Sequence, residues 1–219
     1  MIGEPEKETK AVIVDYGSGN LKSAFNAFKL ASSGDVSVTH DFRDLSLSSH
    51  IILPGVGSFA DCMKGLVSLP GMIETLQDEV IKNKKPFLGI CVGMQLMASL
   101  GKENGTTKGL GWISGVVERI TPKDPMLKIP HMGWNTVSFN NESHPIWKKF
   151  TSGSHAYFVH SYQFIPANKD VILATTEYGE NITAVVGSDN IIGTQFHPEK
   201  SQSFGQGFIK EFLMWDGNT

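Results

Sequence analysis

Apolar residues along the chain fall into two textures. Up to position 100 they form short continuous runs separated by helix-spaced stretches. Ala11–Asp15 (AVIVD), His50–Leu53 and Pro86–Ile90 have the pattern of strands covered on both faces. Between them Leu21, Ala24, Phe25 and Phe28 recur at three- and four-residue steps, as do Met72, Ile73, Leu76 and Val80. This predicts one helix ended by Gly34, others around 58–67 and 71–83, and a further one over Met94–Leu100. Val36–Thr39 adds a short strand. The alternation of strand and helix predicts a parallel sheet with helices on both faces. From Gly109 onward Trp112–Ile120, Trp134–Phe139, Tyr157–Ile165, Val171–Tyr178, Ile182–Val186 and Ile191–Phe196 are strand-like, with Ser188–Asn190 as a hairpin loop. A last helix is predicted over 204–215. No repeat or linker divides the chain, so a single α/β domain is expected over 11–219, after a polar lead-in at 1–10.

Composition narrows the class without changing that outline. The 219 residues are 40% hydrophobic and 19% charged, which excludes a disordered chain, a collagen-like repeat and a coiled coil. Nineteen Lys and Arg against 22 Asp and Glu leave a formal net charge of -3, so no basic excess calls for nucleic acid. The amino terminus lacks the apolar core of a secretory signal, and no apolar run approaches the ~20 residues that cross a bilayer. Two cysteines, Cys62 and Cys91, make neither a disulfide scaffold nor a CxxC zinc spacing. The expectation is a reduced, cytoplasmic protein.

Chemistry concentrates at Gly89-Ile-Cys91-Val-Gly93, between an apolar run and a helical pattern. A nucleophile there sits on a tight strand-to-helix turn, and glycines two positions either side avoid collisions with neighbouring backbone. The helix amino terminus favours a thiolate. Taken alone, Cys91 is equally readable as a small buried hydrophobe; Cys62, without glycines or a turn, reads as packing. A cysteine nucleophile needs a base, and the base an orienter. His197 follows an apolar run and precedes Pro198 and Glu199, and positions i and i+2 of an extended chain point the same way. Glu199 is therefore placed to hold one ring nitrogen while the other faces the thiol. The Val92 N–H, just after the nucleophile, is one oxyanion donor by position, and Pro54-Gly-Val-Gly57 offers a flexible second, although by itself it is an ordinary strand exit. Tyr16-Gly-Ser-Gly-Asn20 lacks the full GxGxxG of a dinucleotide site. His155 and His160 are a poor metal pair, and Trp134, Tyr157, Phe158 and Tyr162 read as core or interface.

Pro86-Phe-Leu-Gly-Ile-Cys91-Val-Gly-Met-Gln95 with Gln195-Phe-His197-Pro-Glu199 resembles the class I (triad) glutamine amidotransferases. Asp15-Tyr-Gly-Ser-Gly-Asn-Leu21, Leu53-Pro-Gly-Val-Gly-Ser-Phe59, His131-Met-Gly-Trp-Asn135, Tyr157-Phe-Val-His-Ser-Tyr162 and Glu199-Lys-Ser-Gln202 make it similar, within them, to the glutaminase subunits of imidazole glycerol phosphate synthase. The resemblance runs from about Val12 to Met214. It implies a flavodoxin-like class I amidotransferase domain: a mostly parallel central sheet flanked by helices, with additional antiparallel strands in the second half. It also implies hydrolysis of L-glutamine to glutamate and ammonia without cofactor or metal. The ammonia would pass to a separate (β/α)8 cyclase subunit in histidine biosynthesis, forming a heterodimer that involves neither nucleic acid nor membrane.

By motif, Cys91, His197 and Glu199 match the catalytic triad, and Val56 and Val92 the oxyanion donors. Gly57, Gln95, Ser161 and Tyr162 match the glutamine-binding positions; Asn20, Trp134, Tyr157 and Lys200 match the rim facing the cyclase. The resemblance further implies that the Gly55–Val56 peptide turns its N–H away until partner and substrate reorganise it. Residues 1–10 extend beyond the usual start, Val92 replaces a commoner leucine, and Ala156 stands where an aromatic is frequent. Three other readings share the elbow: a glutaminase feeding pyridoxal phosphate, anthranilate or carbamoyl phosphate synthesis, a cysteine hydrolase with no ammonia acceptor, and a non-catalytic module of the same fold.

Overall fold

Strand β1 (Lys10–Val14), helix α1 (Leu21–Ala31), β2 (Asp35–Thr39), α2 (Arg43–Leu47), β3 (His50–Gly55), α3 (Phe59–Val67), α4 (Met72–Leu76), β4 (Phe87–Cys91) and α5 (Val92–Gln95) alternate through the first half of the computed structural model, which describes residues 9–218. Short strands β5 (Leu100–Gly101) and β6 (Thr107–Lys108) lead into β7 (Gly115–Arg119), β8 (His131–Phe139), β9 (Ser154–His160), β10 (Tyr162–Pro166), β11 (Ile172–Glu177), β12 (Asn181–Ser188) and β13 (Ile191–Thr194), and α6 (Gln202–Met214) closes the chain.

Nine strands form one sheet in the order β2-β1-β3-β4-β13-β12-β11-β8-β9. Pairing is parallel from β2 to β13 and antiparallel from β13 to β9. The hydrophobic pattern explains the change. β3, β4 and β13 are buried at every position, as strands covered on both faces must be. β9 alternates buried with more accessible residues, as a strand with one wet face does. Right-handed crossovers put α1 on one face and α2, α3 and α4 on the other, because the chain reverses direction across the sheet after β2. α6 returns to the α1 side, where Phe28 and Phe212 meet edge to face at 6.5 Å. The antiparallel strands are therefore an extension of the parallel sheet through β12. A second sheet, β10-β7-β5-β6, stands beside it.

Several elements depart from the sequence pattern. The helix expected over 94–100 is a single turn ending at Gln95. The carbonyls of Leu96, Met97, Ala98 and Ser99 are taken by the N–H groups of Leu110, Ile113, Gly111 and Gly109, so distant backbone replaces the next helical turn. The apolar run 157–165 breaks at Ser161, where the chain leaves β8 and joins β7 in the second sheet. The 71–83 helix is α4 continued by a π-helical turn, Gln77–Lys82, and α2 was not foreseen. Of the expected ten-residue lead-in, residues 1–8 lie outside the described residues and Lys10 already belongs to β1.

Candidate active site

The strands β3, β4 and β13 are neighbours in the sheet, and their carboxyl ends open into one cavity of about 300 Å³. Its lining includes Val56, Gly57, Cys91, Val92, Gln95, Ser161, Tyr162, His197 and Lys200. Open α/β sheets place their ligand crevice at the carboxyl ends of parallel strands.

Cys91 ends β4 with φ 55° and ψ −110°, a conformation that side chains rarely adopt. The turn is tight enough to exclude any side chain on either flank. A Cβ on Gly93 would lie 1.8 Å from the Leu53 carbonyl oxygen, and one on Gly89 2.7 Å from that of Gly93. The helix that follows is one turn long, so the field at the sulfur is that of a few N–H groups rather than of a long helix.

His197 and Cys91 line the same cavity, and His197 Nδ1 is 2.8 Å from Glu199 Oε1. The expected extended spacing of His and Glu is not what joins them. Residues Pro198–Lys200 form a 3-10 turn, which brings the carboxylate back to the ring. His197 is fixed from behind as well: its N–H donates to the Tyr157 carbonyl at 3.0 Å, and its own carbonyl accepts from Ser201 Oγ at 2.7 Å. Burial alone would lower the pKa of this imidazole. The Cys91 sulfur and the Glu199 carboxylate outweigh it and push the value up to about 10.

The Val56 peptides engage the loop after β1. The Val56 N–H donates to Ser18 Oγ at 3.4 Å, and the same hydroxyl donates to the Val56 carbonyl. Cys62 also donates to that carbonyl, at 3.6 Å, and lies 3.2 Å from Ser18 Oγ, so this cysteine does more than fill space. Burial pushes its thiol up. Gln95 donates both amide hydrogens inward, to the Tyr162 carbonyl and to Gln195 Oε1, each at 3.0 Å.

The cavity also contains Glu103, a residue with no flanking motif, whose Oε2 accepts the Phe59 N–H at 2.7 Å. It lies in the loop between β5 and β6 and reaches the first residue of α3 only in the folded chain, so no pattern in the sequence marked it. Trp134 and Tyr157 meet edge to face at 6.2 Å, and Lys200 Nζ stands 5.9 Å above the Tyr157 ring. These three make one surface beside the cavity mouth. Asn20 caps α1, accepting the Ser23 N–H.

A family model described as glutamine amidotransferase class-I matches residues 12–214. The chain belongs to this family. Among relatives of this amidotransferase, the imidazole glycerol phosphate synthase subunit HisH of Brucella melitensis is 50% identical over 214 residues, covering 94% of this chain and 99% of that protein. The proteins of the same name from Rhodospirillum rubrum and Zymomonas mobilis are 48% and 46% identical, with 94% and 96% of this chain covered and 99% and 98% of theirs. Two solved structures share the amidotransferase fold at 18% identity. PurLQS from Thermotoga maritima has a TM-score of 0.72 over 95% of this chain and 98% of its own; one described as glutamine amidotransferase has 0.70 over 93% and 97%. No helix among the described residues is long and apolar enough to cross a membrane.

Proposed function

We propose that this chain is the glutaminase subunit of a two-chain imidazole glycerol phosphate synthase, acting in the cytoplasm in histidine biosynthesis, with residues 11–219 as its amidotransferase domain. The observation that carries the reading is an imidazole held by a carboxylate and sharing one cavity with a cysteine on a tight strand-to-helix turn. The likeness to proteins bearing that subunit name over nearly their whole length supports the specific assignment.

Glutamine enters with its side-chain amide over Cys91. The sulfur attacks the amide carbonyl, forming the C–S bond, and His197 takes the thiol proton and passes it to the departing ammonia. Glu199 holds the imidazole ring in register throughout. Water that gives a proton to His197 then cleaves the thioester, releasing glutamate and restoring the thiol. Gly57, Ser161 and Tyr162 bind the amino-acid end, and Gln95 presents Oε1, its N–H groups being engaged inward. Glu103 supplies the negative charge opposite the α-ammonium group of glutamine.

Val92 and Val56 supply the oxyanion N–H groups. In the structure the Val56 N–H is held by Ser18, which supports a resting state that withholds one donor until the peptide turns. Trp134, Tyr157 and Lys200 form the surface that receives the cyclase, with Asn20 at its edge. Lys200 adjoins the triad and pairs there with an acidic residue of the partner.

The test is glutamate production by the chain alone, with the cyclase, and with the cyclase plus its phosphoribulosyl formimino carboxamide nucleotide. The rate is expected to rise by orders of magnitude across that series. Equal rates with and without partner reject the gate, and no glutamate in the full mixture rejects the function. Cys91→Ala is expected to abolish glutamine-dependent synthesis while ammonia-dependent synthesis by the cyclase continues.

A further inference from the structure

Gln195 stands two residues before His197, is fully buried, and does not line the cavity. Its backbone N–H is fixed to the Ala184 carbonyl at 2.8 Å. Its side-chain Nε2 lies 3.7 Å from the Cys91 sulfur, and its Oε1 accepts from Gln95.

The orientation of both amides is forced by what surrounds them. The Tyr162 carbonyl can only accept, so Gln95 must turn its NH2 group toward it. The second hydrogen of that group then points at Gln195, which must answer with oxygen. Gln195 is left with its N–H groups toward the sulfur. The reverse orientation would set two NH2 groups against each other and an oxygen lone pair against the sulfur.

The far side of the Tyr162 carbonyl is equally constrained. His160 Nδ1 donates to it at 2.9 Å, which leaves His160 Nε2 to accept from His131 Nδ1 at 2.9 Å. His131 Nε2 in turn accepts from Asn135 at 3.1 Å, whose amide also donates to the Glu177 carbonyl at 2.8 Å. Both rings must be neutral for this pattern, and burial, the main cause in each, lowers His160 to about 3 and His131 to about 4. The Tyr162 carbonyl is thus a fixed acceptor clamped from two sides.

We propose that Gln195 is a further catalytic residue of this site: it donates an amide N–H to the Cys91 sulfur, and Gln95, anchored on the Tyr162 carbonyl, holds it in the donating orientation. The assignment of a step to this contact rests on the glutaminase reading above. Sulfur is most negative when the thiol has given up its proton and again when the thioester breaks and sulfur leaves. A buried anion without donors is costly, and His197 changes its own protonation during both steps. The Gln195 N–H is a donor that does not change.

Gln195→Met keeps the side-chain length and removes the donor, and Gln195→Leu does so with a different shape. Iodoacetamide alkylation, followed at the Cys91 peptide by mass spectrometry, is expected to slow about tenfold at neutral pH in either variant, the loss of one hydrogen bond to a charged group. The rate profile should also move toward higher pH. In the complex with the cyclase, kcat for glutamine should fall by a similar factor with KM nearly unchanged, because Gln195 stands behind the sulfur rather than against the substrate. Wild-type alkylation in a variant with a native unfolding midpoint overturns the proposal, as does a loss confined to KM. Should the methionine variant not fold, the leucine variant decides. A wild-type complex inert toward glutamine would overturn the function proposed above while leaving the alkylation comparison valid.

Discussion

Cys91 sits in a backbone conformation that costs a non-glycine residue about 1–3 kcal/mol. That cost can be measured. Cys91→Ala loses the sulfur and keeps the strain, whereas Cys91→Gly loses both. Glycine also carries about 0.5–1 kcal/mol of extra unfolded-state entropy. The glycine variant is therefore expected to match or exceed the alanine variant by up to about 2.5 kcal/mol in urea unfolding. A glycine variant clearly less stable than alanine would mean the turn is unstrained. Single residues were legible in sequence where a local pattern announced them. Two glycines bracketed Cys91, and His-Pro-Glu marked the proposed base and its orienter. Glu103 had no local signal; Ser18 stands between two glycines and Gln195 two residues before His197, but the contacts of all three come from strands and loops meeting at a distance.

The loop between β1 and α1 and the end of β3 act as a pair of elements, joined by one hydroxyl at both faces of Val56. Removing it should make the Val56 peptide easier to turn. Ser18→Ala is accordingly expected to raise glutaminase activity of the chain without its partner roughly fivefold, the equivalent of one ordinary hydrogen bond. An unchanged basal rate would show that the hydroxyl does not restrain the gate. At this scale the sequence was read well in the parallel half, where uniformly apolar β3 and β4 announce strands buried on both faces. It was read poorly where long-range hydrogen bonds decide the ending. The turn after Gln95 is set by residues 109–113, and the break at Ser161 by a choice between two sheets. Apolar periodicity carries neither signal.

Across the whole molecule, buried histidines tie stability to pH. His131 and His144 are lowered to about 4 and His160 to about 3, and His50 is lowered too, burial being the leading cause in each. Unfolded histidines titrate near ~6.5, so on acidification from about pH 7 to about pH 5 the unfolded chain takes up protons that the folded chain refuses. Stability must fall across that window, above the ordinary carboxylate range. The thermal midpoint is expected to drop there, and to drop less in His144→Asn, which keeps an acceptor for the Ile146 N–H. A flat midpoint would contradict neutral burial of these rings. The sheet order has one more consequence. Until β13 is inserted, β4 has an open edge, and Gln195 lies 104 residues after Cys91. A nascent or truncated chain therefore displays the sulfur on a raw strand edge with neither imidazole nor amide beside it. On the proposed chemistry, activation of the thiol is postponed until β13 and the residues after it have docked, and fragments ending before β13 are expected to lack it.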